Sequence, residues 1–136
     1  MIQPIMKDVF FLQQKSEPAT EADRQVIVDL LDTLRANAAG CVGMAANMIG
    51  VRKRIIVVNL GLMNLAMVNP EITWKRGAYE AEEGCLSLAG TRRTTRYEEI
   101  EVAYLDQNFK PQRQKFNGWT AQIIQHEVDH CDGILI

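Results

Sequence analysis

The stretch "IIQHEVDHCDG", residues 123–133, decides how the rest of this chain is read. The chain has only two histidines, and both are here, as His126 and His130 with Glu127 between them. On a helix, residues i and i+4 differ in direction by only about 40°, so both imidazoles leave the same face. Such a pair can give two nitrogens to one metal ion, with Glu127 near enough to take a proton from water at that metal. Two histidines on a half-buried face of an ordinary helix would give the same spacing, so a third donor is needed to choose between the readings. The spacing predicts a helix from Trp119 to Cys131, with Asn117 or Gly118 at its start and Gly133 just past its end.

Upstream, "EAEEGCLSLAG" at 80–90 offers Cys85 between Gly84 and Leu86. A thiolate beside two imidazoles would hold a divalent metal tetrahedrally and leave one position for water. On residue chemistry alone, an inert buried thiol and a free nucleophile remain open for Cys85. The three cysteines, Cys41, Cys85 and Cys131, are an odd number without the spacing of a disulfide framework, as expected in a reducing cytoplasm.

The remaining sequence predicts an α+β domain spanning 1–136. Thr20 and Asp23 are placed to start a helix, and Ile27, Leu30, Leu31 and Leu34 recur at helical spacing, which predicts an amphipathic helix over residues 21–38, stopped by Gly40. "RIIVVNL" (54–60) and "LAMVNPEI" (65–72) read as buried strands. In "EIEVAYLD", Ile100, Val102 and Tyr104 alternate with Glu101 and Ala103, which predicts a strand with one wet face, and "DQNFKP" then reads as a turn. The charge run "RRTTRYEE" (92–99) reads as solvated surface. Composition excludes several classes. With 47% apolar and 24% charged residues and a net charge of −2, the chain has the make-up of a globular domain and not of a nucleic-acid or membrane-surface binder. No uncharged apolar run is long enough for a membrane helix, and the N-terminus lacks the layout of a signal peptide.

"EGCLS" (Glu83–Ser87) followed about forty residues later by "QHEVDH" (Gln125–His130) resembles two of the three signature motifs of peptide deformylases. The third, G-x-G-L-A-A-x-Q, is similar to "CVGMAANM", Cys41–Met48. The resemblance covers roughly residues 20–135. It implies a small α+β metallohydrolase domain with a central HExxH helix packed against β-sheets. Cys85, His126 and His130 would hold the metal, iron(II) in the cell, with zinc or nickel able to replace it. The substrate would be the N-formyl-methionyl end of a new polypeptide, met at the ribosome. Glu127 would be the general base, and the N–H of Leu86 together with the glutamine of the third motif would form the oxyanion hole. Backbone at Val42, Gly43 and Gly84 would pair with the extended peptide. Val42, Trp119, Ile123 and His126 would surround the methionine side chain.

The resemblance also implies departures. Met48 stands where the glutamine belongs and has no N–H to offer. Asn47 carries an amide one residue early, and in an extended segment it would face away from position 48. Cys41 replaces the first glycine, which matters if that position needs φ > 0, or if the thiol lies near the metal and becomes a stray ligand or an oxidation site. Glu83 and Arg96 form either a pair steadying the cysteine loop or a solvated surface pair, and Asp129 either orients an imidazole or faces solvent. The chain ends six residues after His130, where many relatives continue into a tail that some use to dock on the ribosome, so that docking mode is not expected. Three functions follow: a working deformylase, at full or reduced rate; a metal-holding paralogue that binds peptides; and a hydrolase of another small N-acyl group.

Overall fold

A computed structural model describes residues 1–136. Its centre is one antiparallel sheet in the order β1 (Gly43–Ala45), β2 (Ile55–Asn59), β3 (Asn64–Cys85), β4 (Leu88–Leu105), β5 (Pro111–Asn117). Helix α1 (Val9–Leu12) is a single short turn, α2 (Arg24–Ala36) follows a 3₁₀ turn at Glu21–Asp23, and α3 (Gly118–Cys131) closes the chain.

The two strand runs read from sequence are buried because helices cover both faces of the sheet. Along β2, Ile55 and Val57 face a cluster with Ile27, Leu30 and Leu34 of α2. Ile56 and Val58 face the other way, onto Ile123, Ile124 and Val128 of α3. A strand wetted on neither side has no reason to alternate, which is why "IIVV" is uninterrupted. Further along the sheet only α3 covers it, so β4 does alternate: Ile100, Val102 and Tyr104 turn toward α3 while Glu101 and Ala103 do not. The helix of the HEVDH motif thus lies on one face of a single sheet.

The ends of the helices follow local rules. Asp23 Oδ2 accepts the Thr20 N–H at 2.8 Å at the start of α2. Past α3, Gly133 adopts φ +75°, and a Cβ there would meet the Gln13 carbonyl oxygen at 2.4 Å, so only glycine fits.

Two expectations are corrected, and one strand was not anticipated from the sequence. The second strand does not stop near residue 72 but continues to Cys85, with register shifts at Val68/Glu71, Ile72/Trp74 and Gly84/Cys85 that bend the β3–β4 hairpin back over α3. The run 92–99 is not a solvated surface throughout, because it is the middle of β4 and Arg96 is only 3% exposed. Strand β5, "PQRQKFN", has no apolar alternation; pairing with β4 alone makes it a strand.

Candidate active site

Three elements meet at the site. Helix α3 carries His126, Glu127 and His130 on its buried side, the end of β3 carries Cys85, and β1 with the 3₁₀ turn Ala46–Ile49 forms the opposite wall. The Sγ of Cys85 and the imidazole nitrogens of His126 and His130 lie within 4.8 Å of one another. Cys85 Sγ is 3.3 Å from His130 Nε2, and the two Nε2 atoms are 3.1 Å apart. Three soft-to-borderline donors therefore converge on one point, and two nitrogen lone pairs directed at each other need a shared cation or proton between them. That donor set fits a divalent metal. Burial alone would lower His126, but Cys85 and Glu83 outweigh it and push it up to about 10, while burial and the neighbouring His126 push His130 down to about 3.

The orientation of His126 is set by Glu83, whose Oε1 meets Nδ1 at 2.8 Å. Glu83 is in turn gripped by Arg96, at 3.0 Å from Nε and 2.8 Å from Nη2, and by Gln122 Nε2 at 2.9 Å. Burial would raise the Glu83 carboxyl, but the hydrogen bonds from His126, Arg96 and Gln122 prevail and hold it at about 2. Glu83 and Arg96 are thus a buried pair and not a solvated one. Asp129 neither faces an imidazole nor stands free in solvent: its Oδ2 takes Arg96 Nη1 at 2.6 Å.

Glu127 is 4% exposed, and its Oε1 has no hydrogen-bond partner within the protein. Burial pushes its carboxyl up to about 7, into the range where a carboxylate serves as a base near neutral pH. It lies at the wall of an open cleft of about 500 Å³. Val42, Gly43, Gly84, Cys85, Leu86, Trp119, Ile123 and His126, all expected at the site, line that cleft with it. Trp119 is 61% exposed at the rim and Ile123 4% exposed deeper in. Leu86 lies in the turn between β3 and β4, and its N–H makes no hydrogen bond within the protein.

Positions 47 and 48 part company. Met48 lines the cleft, with Sδ 3.5 Å from the Ala45 N–H. Asn47 is absent from the lining; its Nδ2 donates to the His130 carbonyl at 3.0 Å. The segment is a 3₁₀ turn and not extended, so neighbours diverge by about 120° instead of alternating. Cys41 has no positive φ, its thiol donates to the Gly43 carbonyl at 2.9 Å, and burial pushes it up to about 11. Glu82, Leu88, Gly90 and Gln122 of the cleft wall escaped sequence reading; of these Gln122 bears on the site, since it donates to Glu83 and accepts from the Tyr79 hydroxyl at 3.2 Å. It stands four residues before His126 on the same helix face, and that spacing was a usable signal.

An α+β fold that gathers two imidazoles, a thiol and a buried carboxylate beside a peptide-sized cleft defines the class of hydrolytic metalloenzymes. Residues 2–136 match the family model described as Polypeptide deformylase. The chain is 62% identical over 136 residues to a peptide deformylase of Clostridium beijerinckii, covering 100% of both chains. It superposes on the crystal structure of a peptide deformylase from Legionella pneumophila with a TM-score of 0.88 at 35% identity, covering 99% of this chain and 83% of that one. A Met-Ala-Ser-bound class I type b peptide deformylase from Acinetobacter baumannii gives 0.87 at 28% identity, covering 99% and 96%. The chain belongs to the peptide deformylase family. It is an enzyme that removes the N-formyl group from formylated peptides, and deformylases are metalloenzymes.

Proposed function

We propose that residues 1–136 act as one domain in which Cys85, His126 and His130 hold a single divalent metal, iron(II) in the cell and replaceable by zinc or nickel. The substrate is the formyl-methionyl end of a new polypeptide, met in the cytoplasm as it leaves the ribosome. No helix is long and apolar enough to cross a membrane. The observation that carries the reading is the Cys85–His126–His130 cluster beside a buried, unpartnered Glu127 in the cleft.

When bound, the metal supplies Lewis-acid polarisation that brings the pKa of water toward neutrality. Glu127 takes the proton from the attacking water and returns it to the leaving amine nitrogen. The Leu86 N–H donates to the oxyanion that forms on the formyl oxygen. Backbone at Val42, Gly43 and Gly84 holds the extended peptide, and Val42, Trp119 and Ile123 give its methionine side chain an apolar wall. Met48 contributes no donor, so the hole lacks one side-chain N–H and the rate is reduced. Met48 also favours a second reading, a metal-holding paralogue that binds peptides without turning them over; hydrolysis of another small N-acyl group is a third.

The test is anaerobic formate release from formyl-Met-Ala-Ser by the iron(II)-loaded protein and its Glu127→Gln variant. The variant should retain about one metal per chain and lose activity by roughly 10²–10⁴-fold. Equal turnover by the two proteins would remove Glu127 from the mechanism, and a parent that binds metal without releasing formate would favour the paralogue.

A further inference from the structure

The two histidines of α3 are supported unequally. His126 Nδ1 is held by Glu83 at 2.8 Å, whereas His130 Nδ1, on a residue that is 0% exposed, has no partner. A metal-ligating imidazole depends on an acceptor at its other nitrogen to fix the tautomer and the ring. Asn47 is also 0% exposed, and its Oδ1 has no donor. Its Nδ2 donates to the His130 carbonyl at 3.0 Å, so the amide already lies against that residue. The carbonyl only accepts, which obliges the NH₂ to face it and leaves Oδ1 as the unsatisfied atom. Two residues in contact thus carry one buried orphan each: an amide oxygen, and a ring nitrogen that bears the proton when Nε2 is the ligand atom. Buried polar atoms are paired in the great majority of proteins, directly or across an ordered water.

We infer that Asn47 is a positioning residue for His130, its Oδ1 accepting the Nδ1 proton by a small rotation of the amide or across one bridging water. This keeps the Nε2 lone pair turned toward Cys85 and His126. It gives His130 the support that Glu83 gives His126, and it accounts for an amide beside the site that is turned away from the cleft. The inference rests on the reading of His130 as a ligand.

With only two histidines in the chain, the imidazole ¹⁵N spectrum of histidine-labelled, zinc-loaded protein contains just two rings. Zinc should shift the Nε2 signals of both, and His130 should show a slowly exchanging Nδ1 proton. Asn47→Leu removes both amide functions; Asn47→Asp keeps an acceptor oxygen and drops the NH₂. The leucine variant should lose the slow His130 proton and about 10–100-fold in zinc affinity by chelator competition. The aspartate variant should keep the proton and most of the affinity, and His126 should be unchanged in both. Equal losses in the two variants would show that only the Nδ2 bond matters and overturn the inference, as would a slow proton that survives in Asn47→Leu. If neither variant folds, the parent decides, since a fast-exchanging His130 Nδ1 proton there is equally fatal. Zinc that moves neither ring would instead refute the ligand reading itself, and the inference with it.

Discussion

Met48→Gln tests the departure that separates this chain from the motif it resembles. Met48 is 1% exposed, and its sulfur is the acceptor for the Ala45 N–H at 3.5 Å. Glutamine has nearly the same length, so its oxygen can take over that contact as a stronger acceptor. Its NH₂, on the same terminal carbon, then stands on the cleft side. One of the amide's two needs is met at once, so the stability cost should be near the lower end of the 1–3 kcal/mol expected for a buried unsatisfied group, about 1 kcal/mol. In the parent, the Leu86 N–H makes no hydrogen bond within the protein, and the proposed mechanism assigns it to the oxyanion. A single hole donor is worth roughly 10²–10³ in rate. In the proposed mechanism the Leu86 N–H and a bound metal would already share the charge, so a rise in kcat of about 10–10²-fold is expected. KM should change little, because the new contact strengthens only as the oxyanion forms. The assay is initial formate release from formyl-Met-Ala-Ser across a range of peptide concentrations, anaerobically with iron(II). An unchanged kcat in a variant with the parent's metal content and Tm would refute the placement of position 48 in the oxyanion hole.

Arg96→Met removes two hydrogen bonds from Glu83 and one from Asp129 and leaves a buried carboxylate without its cation. Breaking one side of a buried pair costs about 3–5 kcal/mol; because His126 and Gln122 still hold Glu83, about 3 kcal/mol is expected from urea unfolding, and a loss under 1 kcal/mol would contradict it. The sign with pH is fixed by the depressed Glu83 value of about 2 against 4.5: the stability it supplies is complete above about pH 4.5 and is lost as pH falls toward 2. That acid limb should therefore be shallower in Arg96→Met than in the parent. Gly43→Ala would place a Cβ 2.6 Å from Ile123 Cγ2 and 3.0 Å from Glu127 Oε2, so both must yield. Overpacking should cost about 1–3 kcal/mol, and kcat should fall as Glu127 shifts; a fully active variant would show that Glu127 tolerates displacement.

What the sequence determined by itself was whatever a segment's own neighbours dictate. The spacing of His126 and His130 and the glycine past Cys131 define α3, because a helix face repeats every 3.6 residues and its end needs a positive φ. Ile55–Val58 read as a buried strand because a short unbroken β-branched run fits a sheet covered on both faces, and Cys85 was legible as a candidate third donor from its residue type and the family motif. What only the tertiary structure decided depends on partners far along the chain. Arg96 sits in a charge run that looks solvated, yet Glu83 and Asp129, 13 and 33 residues away, neutralise it and make its burial tolerable. Strand β5 exists because β4 offers an edge, not because its own polar residues favour one. The turn at Ala46–Ile49 sends Asn47 to His130 and Met48 to the cleft; the motif spacing set the two apart, but the partner of Asn47 and the 3₁₀ turn that replaces the expected extended segment come from the packing against α3. Local periodicity records the burial that a segment produces in itself; the pairing of charges and amides across 13 to 83 residues is fixed only when the β3–β4 hairpin and the 3₁₀ turn close around α3.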